Sequence, residues 1–171
     1  MAYVDTSIII SRYIPKDPVH KVSQEFFSQK DYAVYITSLT LTELYSVFSR
    51  MQEQISLPKE VKIEFPVAVS TLVSFAMKHC NLKLASIPYT VIAEIGDLTI
   101  RAPIEQALSY SLAAKLRLRT LDLLHIALCW VLKMQQKIDV FITIDDEVYS
   151  KKELIREETG VKVKHLKEMM K

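Results

Sequence analysis

Four acidic residues of this chain, Asp5, Glu43, Asp122 and Asp145, stand in surroundings where a carboxylate is costly. Asp5 follows the apolar run Ala2-Tyr3-Val4, and Asp145 follows Val140-Phe141-Ile142-Thr143-Ile144. Glu43 and Asp122 each lie near the start of a strongly apolar helical segment. A charge among apolar neighbours is destabilising unless a partner satisfies it. Carboxylates that converge also repel one another, and a hard divalent cation is the partner that relieves this. A cation held by oxygen ligands supports hydrolysis, because it polarises a phosphoryl oxygen and activates water.

Each acid also has a local explanation. Asp5 could cap the helix that follows it, and Asp145 or its neighbour Asp146 could do the same after the last buried strand. Thr40-Leu41-Thr42-Glu43 fits the capping-box pattern. Asp122 suits the positive end of a helix beginning near Thr120. No local rule, however, links residues so distant in sequence. Capping and metal ligation are also compatible, since helix N-termini attract anionic groups.

The elements that must position these acids are legible from periodicity. Residues 2–5 read as a short buried strand, and 6–14 as a helix closed by Pro15. A helix is expected over about 17–30, a strand over 32–37, and a helix from 38–40 past Met51 with the stripe Leu44, Val47, Phe48 and Met51. After a turn at Pro58, residues 59–80 read as a long helix with Pro66 near its start or kinking it. Leu82 to Ile87 alternates as a strand, and Val91-Ile92 and Leu98-Thr99-Ile100 fit strands around Gly96-Asp97. Helices are expected from Pro103 and over Thr120 to about Gln136. A strand over Asp139 to Ile144, a polar helix over Glu147 to Glu158 closed by Gly160, and an edge strand at 161–164 complete the chain. Strands separated by helices imply a parallel sheet covered on both faces. Ligands bind such sheets at the carboxyl ends of the strands, which is the shared address of Asp5 and Asp145.

The bulk composition is consistent with this frame. A length of 171 residues, half of them hydrophobic, suits one domain over 1–171 with an extended region at about 52–102. Two glycines and six prolines argue against a disordered or collagen-like chain. The net charge of +2 neither demands nor excludes a nucleic-acid partner. Cys80 and Cys129 read as reduced core residues, and no paired Cys/His spacing suggests zinc. The longest uncharged run, Phe65 to Met77, is too short to span a bilayer, and Asp5 interrupts any signal peptide. A soluble, cytoplasmic protein with no membrane association is expected.

Val4-Asp5-Thr6-Ser7, Thr42-Glu43-Leu44, Leu121-Asp122-Leu123-Leu124-His125-Ile126-Ala127 and Ile142-Thr143-Ile144-Asp145 together resemble the PIN-domain nucleases. The nearest likeness is to the VapC-like toxins of prokaryotic toxin–antitoxin pairs. It spans residues 1–50 and 103–166 well and is weak across about 52–102. The resemblance implies a three-layer α/β/α sandwich with a mainly parallel sheet of four to five strands. It implies an acidic pocket for Mg²⁺ or Mn²⁺ with Asp5, Glu43, Asp122 and Asp145 as ligands. Ser7 and Thr143 match its supporting positions, and Asp146 could assist or substitute for Asp145. The activity implied is hydrolysis of single-stranded RNA by activated water, leaving a 5′-phosphate and a 3′-hydroxyl. An antitoxin partner and a homodimer are expected as well, with the apolar helices around 39–51 and 61–77 as either that surface or plain core.

Arg12 and Arg50 are the cations expected to meet phosphate, ahead of Lys115 and Arg119. His125, one turn after Asp122, reads as a packing or hydrogen-bonding residue rather than a base. The chief alternative is a non-catalytic PIN-like module that binds RNA or protein. A phosphatase with a phosphoaspartate would need Asp-x-Asp after the first strand, where Ser7 stands instead. A nucleotide binder would need a glycine-rich loop, and the only glycines are Gly96 and Gly160.

Overall fold

The computed structural model describes residues 1–29, 33–51 and 64–170. β1 (Ala2–Val4) is buried at every position, as a central strand covered on both faces must be. α1 (Thr6–Ser11) and α2 (His20–Gln29) follow, then β2 (Val34–Ile36), α3 (Ser38–Arg50), α4 (Phe65–His79) and β3 (Leu82–Leu84). A hairpin of β4 (Thr90–Ile95) and β5 (Leu98–Pro103) precedes α5 (Ile104–Leu116) and α6 (Thr120–Met134). β6 (Val140–Thr143), α7 (Asp146–Ser150), α8 (Lys152–Thr159), β7 (Lys162–His165) and a 3-10 turn at Leu166–Met169 end the described chain.

Among the described residues the main sheet has five strands in the order β3-β2-β1-β6-β7, and every pairing is parallel. The chain starts at the centre, works outward through β2 and β3, then returns to the other side of β1 with β6. The order therefore reverses between β1 and β6, which marks the ligand crevice in open parallel sheets. Strand alternation divides the core. Ala2, Val4, Val34 and Ile142 pack with Ile8, Phe26, Leu44 and Val73 of α1–α4. Tyr3, Phe141 and Val163 pack with Leu112, Ile126, Val148 and Ile155 of α5–α8. Helices thus cover both faces in three layers, as expected. No helix among the described residues is long and apolar enough to cross a membrane.

Some expectations shift in detail. The segment expected as one polar helix breaks at Lys151, whose backbone (φ −99°, ψ 13°) leaves the helical region. Its ammonium instead donates to the carbonyls of Leu116 and Arg117, which lack helical partners at the end of α5. The strand expected to reach Ile87 ends at Leu84. The turn at Pro58 and the start of the helix expected over 59–80 fall outside the described residues. From Glu64 onward, the extended region supplies α4, β3 and the antiparallel hairpin, turned at Gly96 with φ +58°.

The sheet centre holds the strand ends in place, so truncating it should be expensive. Ile142→Ala, at a fully buried position on β6, should lower unfolding stability by about 2–5 kcal/mol in urea titrations.

Candidate metal centre

Asp5 leaves the sheet where the strand order reverses. Its amide still donates to the Ile142 carbonyl at 3.0 Å. Its Oδ1 accepts from the Ser7 amide at 3.3 Å, capping α1 as the local reading allowed. Its Oδ2 accepts from the Thr143 hydroxyl at 2.8 Å. The same Thr143 oxygen accepts the Asp145 amide at 3.0 Å, so one hydroxyl ties the two strand-end acids together. Asp145 caps α7: its Oδ1 accepts the amides of Glu147 at 2.7 Å and Val148 at 3.1 Å.

Asp122 stands in the first turn of α6. Burial pushes its carboxyl up to about 6, and the charges of Asp145 and Asp5 add to the rise. His125 and Arg119 act in the opposite direction but do not cancel it. Asp122 accepts no hydrogen bond among the described residues. Residues from β1, α6 and the end of β6 therefore share one electrostatic field, though they lie far apart in sequence.

Glu43 does not take the local role open to it. Thr37, not Thr40, is the N-cap of α3, so the capping box does not form. Glu43 reaches across to α1 and α6 instead. Its Oε2 accepts from the Thr6 hydroxyl and from His125 Nε2 at 2.8 Å. Burial raises the Glu43 carboxyl, but the bonds from His125 and Thr6 outweigh it and hold the group below the ordinary carboxylate range. Burial pulls His125 down, while the Glu43 bond and the charges of Asp5, Glu43 and Asp122 push it further up. His125 Nδ1 lies 2.8 Å from the Tyr3 hydroxyl. The expectation that His125 is a hydrogen-bonding residue fits these contacts. Tyr3 and Thr6 escaped notice; the available signal was a polar-tipped ring inside a fully buried strand, which needs a partner.

Asp5 and Glu43 line a cleft of about 470 Å³ together with Thr6, Ser7 and Arg50. Arg50 is exposed at this cleft. Arg12 is not: it is 9% exposed, its guanidinium stacks over Phe27 at 5.4 Å and its Nη2 lies 3.2 Å from His79 Nε2. The turn from α1 thus carries Arg12 into the α1–α4 layer rather than to the cleft. Asp146 points outward, with its side chain 97% exposed and 3.8 Å from His165 Nε2. Lys115 is paired with Glu158 at 2.6 Å.

Among the described residues no three His, Cys, Asp or Glu side chains form a ready-made cage for an ion. The donor chemistry nevertheless fits a hard cation, because the acids supply oxygen ligands and the charges of Asp145 and Asp5 add to the rise at Asp122. The Ser7 hydroxyl oxygen, in the same cleft, is buried with no hydrogen-bond partner. Such an orphaned oxygen calls for a ligand or a water to complete it.

The PIN domain family model matches residues 2–154. The crystal structure of Mycobacterium tuberculosis VapC20, a sarcin–ricin loop cleaving toxin, shares the fold at a TM-score of 0.53 and 14% identity, covering 88% of this chain and 94% of that one. No curated protein matches the sequence.

The raised Asp122 carboxyl has a stability consequence. Its folded value of about 6 exceeds the ordinary 3.8, so the folded state binds the extra proton and stability falls as pH rises from 4 to 6. Removing the charge should recover that loss. In metal-free buffer, Asp122→Asn should melt above the native chain at pH 8, by about 1 kcal/mol after solvent screening. The gap should close as pH drops toward 4, as followed by thermal unfolding at several pH values.

Proposed function

The chain belongs to the PIN domain family, and on that premise we propose that it is a divalent-metal-dependent endoribonuclease. In this reading Asp5, Glu43, Asp122 and Asp145 hold Mg²⁺ or Mn²⁺ and the substrate is single-stranded RNA. The main support is Asp122, whose carboxyl is pushed up to about 6 by burial and by the charges of Asp145 and Asp5. Acids gathered from three elements at the strand-order reversal are costly unless something binds them. A hard cation at this place would offset the charge, let a polyanion approach and polarise its phosphodiester.

The chain's own residues have separable tasks. Thr143 and the Ser7 amide hold Asp5 with both oxygens oriented. The helix cap fixes Asp145 through Oδ1 and leaves Oδ2 for the site. Thr6 and His125 take Glu43 Oε2, leaving Oε1 for the cleft. Asp122, in the first turn of α6, accepts no hydrogen bond among the described residues, which leaves both of its oxygens for the site. Arg50 offers a guanidinium to a backbone phosphate at the cleft. VapC20 is a sarcin–ricin loop cleaving toxin, and on that likeness we take RNA as the substrate class. The same likeness supports a toxin role, and we extend the reading to an antitoxin partner and a homodimer. Tyr45 of α3 and Val67 and Phe75 of α4 are exposed for such contacts.

The test is cleavage of mixed single-stranded RNAs in Mn²⁺. Asp5→Asn and Asp122→Asn should each lose at least about 100-fold in rate, roughly 2.7 kcal/mol of barrier, with the fold retained. Cleavage at the native rate by either variant would refute its assignment.

A further inference from the structure

One hydrogen-bonded chain runs from the sheet core to the cleft without touching the outer surface. Tyr3 is 0% exposed and His125 is 3% exposed, so water does not compete for their polar atoms. The Tyr3 hydroxyl has three partners: Thr37 Oγ1 at 3.1 Å, Thr40 Oγ1 at 3.0 Å and His125 Nδ1 at 2.8 Å. That saturates a phenol, which has one donor and two acceptor sites. His125 Nε2 then meets Glu43 Oε2 at 2.8 Å.

We propose that Tyr3 and His125 are positioning residues that lock Glu43 with one carboxylate oxygen facing the cleft. This rests on the metal-dependent reading given above. The donor pattern supports it in either protonation state of the imidazole. With neutral His125, the two threonines donate to Tyr3, Tyr3 donates to Nδ1, and the ring proton is forced onto Nε2, where it faces Glu43. With charged His125, both ring nitrogens donate and Nε2 faces Glu43 again. The partner on Nδ1 thus decides what Nε2 does, as outer hydrogen bonds do for residues that hold metals.

Two features separate this from ordinary packing. The chain closes on itself: Thr40 and Glu43 lie one turn apart on α3, and the path between them crosses β1 and α6. Thr37 also makes no side-chain cap at the start of α3, although it is the N-cap and a threonine there normally would. Its hydroxyl goes to Tyr3 instead. A local preference set aside for a long-range bond is the pattern expected near a functional site.

The test is calorimetric titration of the full chain with Mn²⁺ alone, so that no RNA cleavage is needed. Native protein should bind. His125→Ala should weaken binding by about 10- to 100-fold, and Tyr3→Phe, which keeps the ring against Phe141, by a smaller factor. His125→Gln, whose amide can donate to Glu43, should recover part of the loss. Melting curves run alongside show which variants are folded. If the folded variants bind Mn²⁺ like the native chain while only their melting temperatures fall, the two residues are structural and the inference is overturned. If the native chain itself does not bind Mn²⁺, the metal reading fails and the inference with it.

Discussion

Carboxylates drawn to one end of a parallel sheet cannot all remain charged at low cost. Burial of Asp122 beside the charges of Asp145 and Asp5 is the constraint around which this end of the sheet is arranged. It shows in the raised Asp122 carboxyl, where the neighbouring acids add to the effect of burial. The fold tolerates the repulsion because other groups hold the acids still. Backbone amides hold Asp145, a hydroxyl and an amide hold Asp5, and an imidazole and a hydroxyl hold Glu43. Asp122 alone has no such hold, and its carboxyl is raised.

The sheet explains why these groups meet at all. β1 lies at the centre and β6 joins it in parallel register, with Val4 opposite Ile142. That register puts Asp5 beside Thr143 whatever the intervening residues do. α3 and α6 then approach from opposite faces and bring Glu43 and His125 together across the end of β1. The cleft is therefore a product of topology, and its acids need no local relationship in sequence.

That distinction also decides what could be read in the residues alone. The parallel three-layer architecture was legible because buried strands such as Ala2–Val4 and Val140–Thr143 are short apolar runs between helical stripes. The strand-end acids were legible for the same reason, as charges terminating those runs. Glu43 was ambiguous: Thr40 and Glu43 have capping-box spacing, and only the start of α3 at Ser38 shows that the box does not form. Arg12 was expected to meet phosphate but packs against Phe27 and His79, because the direction of a side chain after a short helix depends on how α1 meets its neighbours. The break at Lys151 depends on carbonyls at the end of α5, more than thirty residues away. What sequence hides here is contact between distant elements, while local periodicity and isolated charges show plainly.

The central claim is that these acids form one cation site. Crystals grown with Mn²⁺ and measured at the manganese edge test it most directly. The account predicts an anomalous peak among the carboxylates of Asp5, Asp122 and Asp145, on the side that Glu43 faces. A map with no manganese there, and those carboxylates turned away from one another, would contradict it.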